Sequence, residues 1–249
     1  MPLIPPRSES VWWPDDEQIV GVVGVAPAAT ADFFVKLTSL TRASKDWQHL
    51  RVLIDSNPKI PSRGRYLELG ETDPSPYLRQ AIEALLEQGA ALVAVPCNTA
   101  HILYERYADG ITARVPHMIE STVDALVART TRPERVAVFS SRQVARHGLY
   151  ARALERRGGT LLDTGPDQDE VSALIEAVKQ GQPLPACRAR MQRLVARHPD
   201  AGAYVLGCTE LSLLLGPDDA AVPVIDSNLA LAEDCFRRAR GTPRAASHR

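Results

Sequence analysis

The sequence predicts an α/β fold made of two pseudo-symmetric domains, each built on a parallel sheet, and three observations lead to it. Short apolar runs rich in valine, leucine and isoleucine recur without polar alternation, as in strands covered on both faces. Segments with helical spacing of apolar residues separate these runs, which favours parallel strands joined by right-handed crossovers. The chain also resembles itself, because each half has an apolar strand that ends in cysteine followed closely by threonine.

The individual elements follow from these patterns. The predicted strands are residues 19–25, 50–55, 91–96, 135–139, 159–163, 203–207 and 222–226. The clearest helix is predicted over residues 75–89, where Ser75 can cap the helix and Pro76 suits its first position. Gly89 supplies the left-handed stop. The apolar face of this helix is predicted to consist of Leu78, Ile82, Leu85 and Leu86.

The internal repeat sets the predicted domain organisation. After each cysteine the chain reaches a Val-Pro segment, VPHMIES in the first half and VPVIDS in the second. The predicted units are an irregular arm (1–16), a first α/β domain (17–117 plus 224–240), a second α/β domain (118–223) and a disordered tail (241–249). Ligands bind at the carboxyl ends of strands in open α/β sheets, so we expect the active site in the cleft between the domains.

The composition describes an ordinary globular protein and excludes several classes of partner. Apolar residues make up 45% and charged residues 24% of the chain, and the formal net charge is −1. No basic stripe indicates nucleic acid, and no apolar stretch reaches the roughly 18–20 residues of a membrane span. The N-terminus lacks the apolar region of a signal peptide. We therefore expect a cytoplasmic protein whose four cysteines are reduced.

Two polar turns carry the chemistry, because Cys97 and Cys208 each stand where a strand gives way to a helix. A helix N-terminus offers free N–H groups and partial positive charge, which can hold a carboxylate and lower the pKa of a cysteine. Side-chain donors are added there by Asn98, Thr99 and Thr209. Two such turns related by pseudo-symmetry would place a thiol on each face of one small molecule. That geometry suits removing a proton from one face of a carbon and returning one to the other.

Other cysteine chemistry is less well supported. Cys187 and Cys235 lie in helical segments without polar company and are interpreted as small core hydrophobes. Cys97 and His101 are four residues apart, so both could face one zinc ion from a helix start. No CxxC or HxxxH motif completes a ligand set, and no metal site is predicted.

Four sequence segments, taken in their order along the chain, resemble the motifs of a known family. They are GVVGVAPAATADFFVKLTSLT, SNPKIPSR, AVPCNTAH, and VLGCTELSLLL followed by VIDS. In these segments the chain resembles the aspartate/glutamate racemase family of cofactor-independent amino-acid racemases, and most closely its aspartate racemase branch. The resemblance runs from about Ile19 to Leu231. It implies racemisation of an acidic amino acid, aspartate before glutamate, without pyridoxal phosphate or another cofactor, and often in a homodimer.

The resemblance also assigns roles to single residues. It places Cys97 and Cys208 at the positions of the acid/base pair. In the family, certain side chains hold the α-carboxylate and amine of the substrate. The resemblance matches these to Asn98, Thr99 and Thr209. Arg63 matches the arginine that grips the side-chain carboxylate, and Lys179 falls where that branch has a second basic side chain. An arginine can bind a distal carboxylate through two hydrogen bonds, and a lysine adds a localised positive charge, so the pair is suited to bind that group.

Further residues are assigned to the pocket and its surroundings. The first loop, GVAPAAT, keeps Thr30, and the second-domain loop, FSSRQ, offers Ser140; both are assigned to substrate binding. His101 and Glu210 follow the two cysteines and are expected to orient or tune the neighbouring thiols. The shortened first loop and Ser62, where the family usually has aspartate, lie in segments that shape the pocket. A maleate isomerase, a hydantoin racemase or a non-catalytic ligand-binding relative remain as alternatives.

Overall fold

The computed structural model describes residues 16–130 and 135–240. Apart from Asp16, the arm predicted for residues 1–16 lies outside the described residues, and so does the tail predicted for residues 241–249. None of the helices in the two described ranges combines the length and the hydrophobicity of a membrane-spanning segment.

The described strands form two parallel three-stranded sheets, which confirms the predicted α/β class. The first sheet contains β1 (Val20–Gly24), β2 (Val52–Ser56) and β3 (Leu92–Ala94), in the order β2-β1-β3. The second sheet contains β4 (Val136–Ser140), β5 (Ala203–Gly207) and β6 (Val224–Asp226), in the order β4-β5-β6. Every residue of β1, β3, β4 and β5 is buried, as unbroken apolar runs covered on both faces require.

The prediction of a strand over residues 159–163 is wrong, because in the structure this segment makes only a single bridge, from Leu161 to Val136. Two backbone hydrogen bonds surround the bridge, from Val136 N to Thr160 O and from Leu162 N to Val136 O. Leu161 is 39% exposed, so the segment lies at the open edge beyond β4 without cover on both faces. Its apolar residues mimic a strand in the sequence, but the pairing does not extend.

Helices cover the sheets and connect the strands. The α-helices of the described residues are α1 (Pro27–Ser39), α2 (Arg63–Leu69), α3 (Ser75–Glu87), α4 (Tyr104–Tyr107), α5 (Met118–Arg129), α6 (Arg142–Arg146), α7 (Leu149–Glu155), α8 (Gln168–Lys179), α9 (Leu184–Val195) and α10 (Ser227–Arg240). Short 3₁₀ helices lie at Asp46–Gln48, Asn98–Leu103, Thr112–Arg114, Gly165–Asp167, Leu211–Leu213 and Pro217–Asp219.

Helix α3 forms where the sequence predicts it, with one correction at its start. Its buried face carries Leu78, Ile82 and Leu85, while Leu86 is only partly buried. Gly89 follows with a φ of 98°, the left-handed conformation expected for a helix stop. Ser75 is the first helical residue rather than the cap, because its own N–H donates to Asp73 Oδ1 at 2.9 Å. The aspartate two residues earlier satisfies a free N–H at the helix start.

The two sheets repeat one pattern of pairing, and that pattern aligns the cysteine-bearing strands. In the first sheet β1 pairs with β2 on one side and with β3 on the other. In the second sheet β4 pairs with β5 on one side and, through Val136, with Leu161 on the other. β3 and β5 therefore occupy equivalent places. Cys97 follows the first of them and Cys208 the second, so each cysteine lies at the carboxyl end of a parallel sheet.

The strand pairing corrects one predicted boundary. Residues 224–226, assigned from the sequence to the first domain, form β6 and pair with β5 in the second sheet. The chain returns to the first sheet with α10, whose Leu231 and Cys235 lie in the same core as Val20 and Phe33. Hydropathy does not show whether this segment joins the first sheet or the second, because an apolar Val-Pro-Val-Ile run could be buried in either.

Candidate active site

Both cysteines predicted to be catalytic line one cleft of about 370 Å³. Cys97 enters it from the end of β3 in the first sheet, and Cys208 enters it from the end of β5 in the second. Arg63 from α2 and Lys179 from α8 line the same cleft. Two thiols from different sheets and two cations therefore share one cavity at the carboxyl ends of the strands, the expected place for a ligand in this architecture.

The Cys97 turn presents a partly exposed thiol at the start of a short helix. Cys97 has extended backbone angles (φ −155°, ψ 104°) and directly precedes the 3₁₀ helix Asn98–Leu103. The helix predicted from the sequence begins as this tighter form and becomes α-helical only at Tyr104. Cys97 is partly buried, whereas Cys208 is buried, so the two thiols differ in their access to solvent.

His101 supports the Cys97 turn through the backbone. Its ring is 3% exposed, and Nδ1 lies 2.9 Å from the carbonyl oxygen of Cys97. Since a carbonyl oxygen only accepts, Nδ1 carries the proton. Burial, and secondly the neighbouring His117, lower the pKa of His101 to about 3. The ring is therefore neutral at ordinary pH and contributes orientation rather than charge.

Cys208 is held as a thiol by its surroundings. Its Sγ–H donates to Glu210 Oε2 at 2.9 Å. Burial, followed by the charge of the Glu210 carboxylate and this hydrogen bond, raises the pKa of Cys208 well above its ordinary value. All three causes penalise the thiolate, because a buried anion loses hydration, an adjacent carboxylate repels it, and the hydrogen bond requires the thiol proton. The helix expected directly after Cys208 is only the 3₁₀ helix Leu211–Leu213, so Cys208 does not stand at a helix start. The charge of Lys179 and a backbone hydrogen bond of Glu210 lower the pKa of Cys208 by less than the other causes raise it.

Glu210 connects the Cys208 thiol to the rest of the cleft. The Thr209 hydroxyl donates to Glu210 Oε2 at 3.3 Å, and Lys179 Nζ lies 4.0 Å from Oε1. Lys179 is largely exposed at this cleft, whereas Glu210 and Thr209 are mostly buried. A carboxylate of a bound molecule could therefore approach Lys179 from the solvent side, while Glu210 occupies its inner side.

Arg63 contributes a second cation to the cleft. Its guanidinium donates to the carbonyl oxygens of Ile60 (3.3 Å), Pro61 (3.1 Å) and Val25 (3.4 Å). No carboxylate of the described residues forms an ion pair with it, and its buried Nε has no hydrogen-bond partner among them. A half-buried guanidinium that is bonded only to neutral carbonyls retains its full charge for an anion in the cleft.

Asn98 and Thr99 lie between the two sheets. The Thr99 hydroxyl is 3.1 Å from the hydroxyl of Ser141, which follows β4, so this contact spans the cleft wall. Asn98 is 3% exposed, and both polar atoms of its amide are bonded inside the protein. Its side chain therefore offers at most one remaining N–H to the cleft.

Two assigned residues do not line the cleft. The Thr30 hydroxyl donates to Ala26 O at 2.8 Å and packs against Gly24, where an added Cβ would lie 2.3 Å from it. Ser140 is the last residue of β4; it is buried, and its hydroxyl lies 3.4 Å from Ser141 O. Ser141 lines the cleft in its place. Alternation along β4 turns Ser140 into the core, so the first residue after the strand is the one that faces the cavity.

Other cleft residues receive no individual role from the sequence, although Ala26 and Ser62 lie in segments that the sequence assigns to the pocket. They are Ala26, Ser62, Gly64, Glu68, Pro96, Ser141, Arg142, Gln143, Ser172 and Ile175. Ser141, Arg142 and Gln143 could have been found by the rule used for the cysteines, because they follow a buried strand directly. Glu68 and Ser172 lie inside helices, and nothing in their local pattern marks them as cleft residues.

Fold and site together define a class of protein: an α/β protein with one thiol from each of two equivalent sheets at a shared cleft, flanked by hydroxyls and cations. The model of the Asp/Glu/Hydantoin racemase family matches residues 22–235, most of the chain. The chain belongs to this family, as the sequence motifs predict. Racemases are isomerases, so the class of enzyme expected from the motifs is confirmed.

Similar proteins support the same placement. The broad specificity amino-acid racemase RacX of Bacillus subtilis is 25% identical over 223 residues, covering 86% of this chain and 95% of that protein. A glutamate racemase of Pseudomonas aeruginosa PAO1 is 28% identical over 211 residues, 76% of each chain. Among solved structures, the Picrophilus torridus aspartate racemase has a TM-score of 0.79 and 28% identity, covering 89% of this chain and 94% of that one.

Proposed function

We propose that this protein interconverts the L and D forms of an acidic amino acid, aspartate first and glutamate second, without pyridoxal phosphate. The reaction is a 1,1-proton transfer between two bases, Cys97 and Cys208. The observation that carries the proposal is that thiols from two equivalent sheets line one cleft. A single thiol can exchange a proton on one face of a carbon, but inversion requires a donor on the other face.

The electrostatic surroundings of the two thiols support different roles for them, one as the acid and the other as the base. Cys208 donates its hydrogen bond to Glu210 and is held protonated, so it is the acid of the resting enzyme. Cys97 is the more accessible thiol and serves as the base once ionised. It removes the α-proton from one enantiomer while Cys208 protonates the opposite face. The product leaves the enzyme with the two roles exchanged, and the reverse reaction restores them.

The polar groups of the two turns supply the binding. The hydroxyls of Thr99 and Thr209 and the backbone N–H groups beside the cysteines would hold the α-carboxylate and amine. These donors also stabilise the negative charge that develops on the substrate as its α-proton leaves. Arg63 and Lys179 would bind the distal carboxylate. The absence of an ion pair at Arg63 among the described residues supports this role, because an anionic substrate would meet an uncompensated cation.

The test is proton NMR in D₂O with a panel of amino acids and no added cofactor. We expect the α-proton signal of aspartate to disappear while its other enantiomer accumulates. Glutamate should react more slowly, and neutral amino acids hardly at all. Retention of the α-proton in every acidic amino acid, or a reaction that begins only after pyridoxal phosphate is added, would refute the proposal.

Replacing Glu210 with glutamine should shift the pH dependence. The productive free enzyme carries one thiolate and one thiol, so the alkaline limb of kcat/KM reports ionisation of the second thiol. The Glu210 carboxylate raises the pKa of Cys208, and this places the wild-type limb at high pH. Glutamine keeps an acceptor but removes the charge, so the limb should move to lower pH.

The control for this experiment is Glu176→Gln, on the exposed face of α8, where the carboxylate accepts a hydrogen bond from Gln180 and does not line the cleft. Its alkaline limb should coincide with that of the wild type. A Glu210→Gln profile that also coincides with the wild type would show that this carboxylate does not tune the thiol.

We also propose a homodimer, as the family resemblance implies. Exposed large apolar side chains support this proposal, because a partner could cover them. Those that lie before Cys97 in the sequence are Phe34, Val35, Trp47, Ile54, Leu69 and Tyr77. Among the strands of the described residues, β2, which carries Ile54, is also the edge of its sheet, and edge strands offer backbone groups for pairing. Light scattering should give twice the chain mass of 27.2 kDa at micromolar concentration. The mass of a single chain would exclude the dimer.

A further inference from the structure

We propose that Tyr150 is a positioning residue that fixes the Cys97 turn against the Cys208 turn; this inference rests on the proposed two-thiol reaction. Tyr150 lies in α7, is 3% exposed, and does not line the cleft. One end of its side chain reaches the residue after Cys97, and its ring contacts the residue before Cys208.

The first contact is a buried hydrogen bond. The Tyr150 hydroxyl donates to Asn98 Oδ1 at 2.6 Å. Asn98 directly follows Cys97 and begins the short 3₁₀ helix of that turn. Because Asn98 is itself buried, its amide oxygen has no water to replace a lost partner. The position of the Cys97 turn is thereby tied to α7, which packs with the second sheet.

The rest of the network fixes the orientation of the Asn98 amide. Asn98 Nδ2 donates to Ser227 Oγ at 2.9 Å, and Ser227 Oγ donates to the carbonyl oxygen of Leu206 at 2.8 Å. A carbonyl oxygen can only accept, so the serine hydroxyl must point to Leu206 and accept from the amide nitrogen. The amide oxygen is then left for Tyr150. Leu206 lies in β5, two residues before Cys208.

The second contact is steric and involves Gly207, the last residue of β5. A Cβ added to Gly207 would lie 2.8 Å from Tyr150 Cε2, so the ring rests directly on the backbone beside Cys208. Ring, hydroxyl, Asn98 and Ser227 therefore form a closed loop of contacts that starts and ends on β5. This closed set of contacts fixes the distance between the two cysteine turns, and neither Tyr150 nor Ser227 lines the cleft itself.

The consequence for catalysis is alignment. In the proposed reaction both sulfurs must meet one carbon at the same time, whereas binding needs only the surrounding donors and cations. A shift of one turn relative to the other should therefore lower the rate of inversion more than the affinity for substrate. Misplacements of about 1 Å can lower catalytic rates about 100-fold.

The experiment compares Tyr150→Phe with Tyr204→Phe. The first change removes the hydroxyl and keeps the ring on Gly207. The control tyrosine is also buried, lies in β5, and donates to the carbonyl oxygens of His198 (2.9 Å) and Val195 (3.3 Å), away from the cleft. We expect Tyr150→Phe to lower kcat for aspartate about 10- to 100-fold while KM changes by less than about threefold. Tyr204→Phe should lower Tm and leave kcat unchanged.

Ser227→Ala provides a second test at the other end of the same amide. It should reproduce the fall in kcat, and the double variant with Tyr150→Phe should fall by less than the product of the single effects. The combination with Tyr204→Phe should be additive. Unchanged kcat in both Tyr150→Phe and Ser227→Ala, or a fall equal to that of Tyr204→Phe, would overturn the inference. A wild-type enzyme that neither exchanges nor inverts aspartate would instead refute the proposed function.

Discussion

Replacement of either Cys97 or Cys208 with serine should lower the rate of racemisation on the order of 10³-fold, within the range expected for loss of a general acid or base. A serine hydroxyl is not ionised at neutral pH and is a far weaker base than a thiolate. Both cysteines line the cleft, and neither belongs to a disulfide, so the fold should survive the loss of one sulfur atom. The measurement is the inversion rate of aspartate together with Tm for each variant.

The two remaining cysteines provide matched controls. Cys187 packs in the core of the second sheet and Cys235 in the core of the first, and neither lines the cleft. Serine at these positions should reduce stability by about 1–3 kcal/mol, the usual cost of burying an unpaired polar group, and leave kcat unchanged. Racemisation at the parent rate by Cys97→Ser or Cys208→Ser would disprove the two-thiol reaction.

Arg63→Ala should damage the reaction of acidic amino acids selectively. A charge-assisted hydrogen bond to a carboxylate contributes about 1.5–3 kcal/mol, so kcat/KM for aspartate should fall about 10- to 100-fold. The residual activity toward alanine, which has no distal carboxylate, should change by less than about threefold. Steady-state kinetics on both substrates, with each enantiomer, would give the ratio directly.

Arg65→Ala is the control for this change. Arg65 lies on the same helix two residues later, pairs with Glu71 on the surface, and is absent from the cleft lining. It should leave both substrates unaffected. Equal losses for aspartate and alanine in Arg63→Ala would instead assign the guanidinium to holding the carbonyls of Ile60, Pro61 and Val25 in place.

The sequence predicts the fold well where burial alone decides the outcome. Unbroken apolar runs become β1, β3, β4 and β5, because strands covered on both faces need no polar alternation. Hydropathy does not specify the partner of a strand. For this reason the sequence predicts a full strand over 159–163, where the structure has a single bridge, and it assigns residues 224–226 to the first domain, where the structure pairs them with β5.

The cleft is predictable to the extent that it follows strand ends. Cys97 and Cys208 were found through their repeated context, and both reach the cavity. The sequence favours Ser140, whereas Ser141 lines the cleft, because one residue of register along β4 decides whether a side chain faces the core or the cleft. Tyr150 carries no such signal, since its role depends on contacts to residues distant in sequence.

The packing of α10 determines when during synthesis the site can form. β1 emerges early from the ribosome, but Leu231, Ala232 and Cys235 of α10 complete the core around it. Ser227, which holds Asn98, begins the same helix. The nascent chain must therefore carry a partly uncovered first sheet until residues 227–240 are available, so both thiols would reach their working arrangement only after translation has passed this helix.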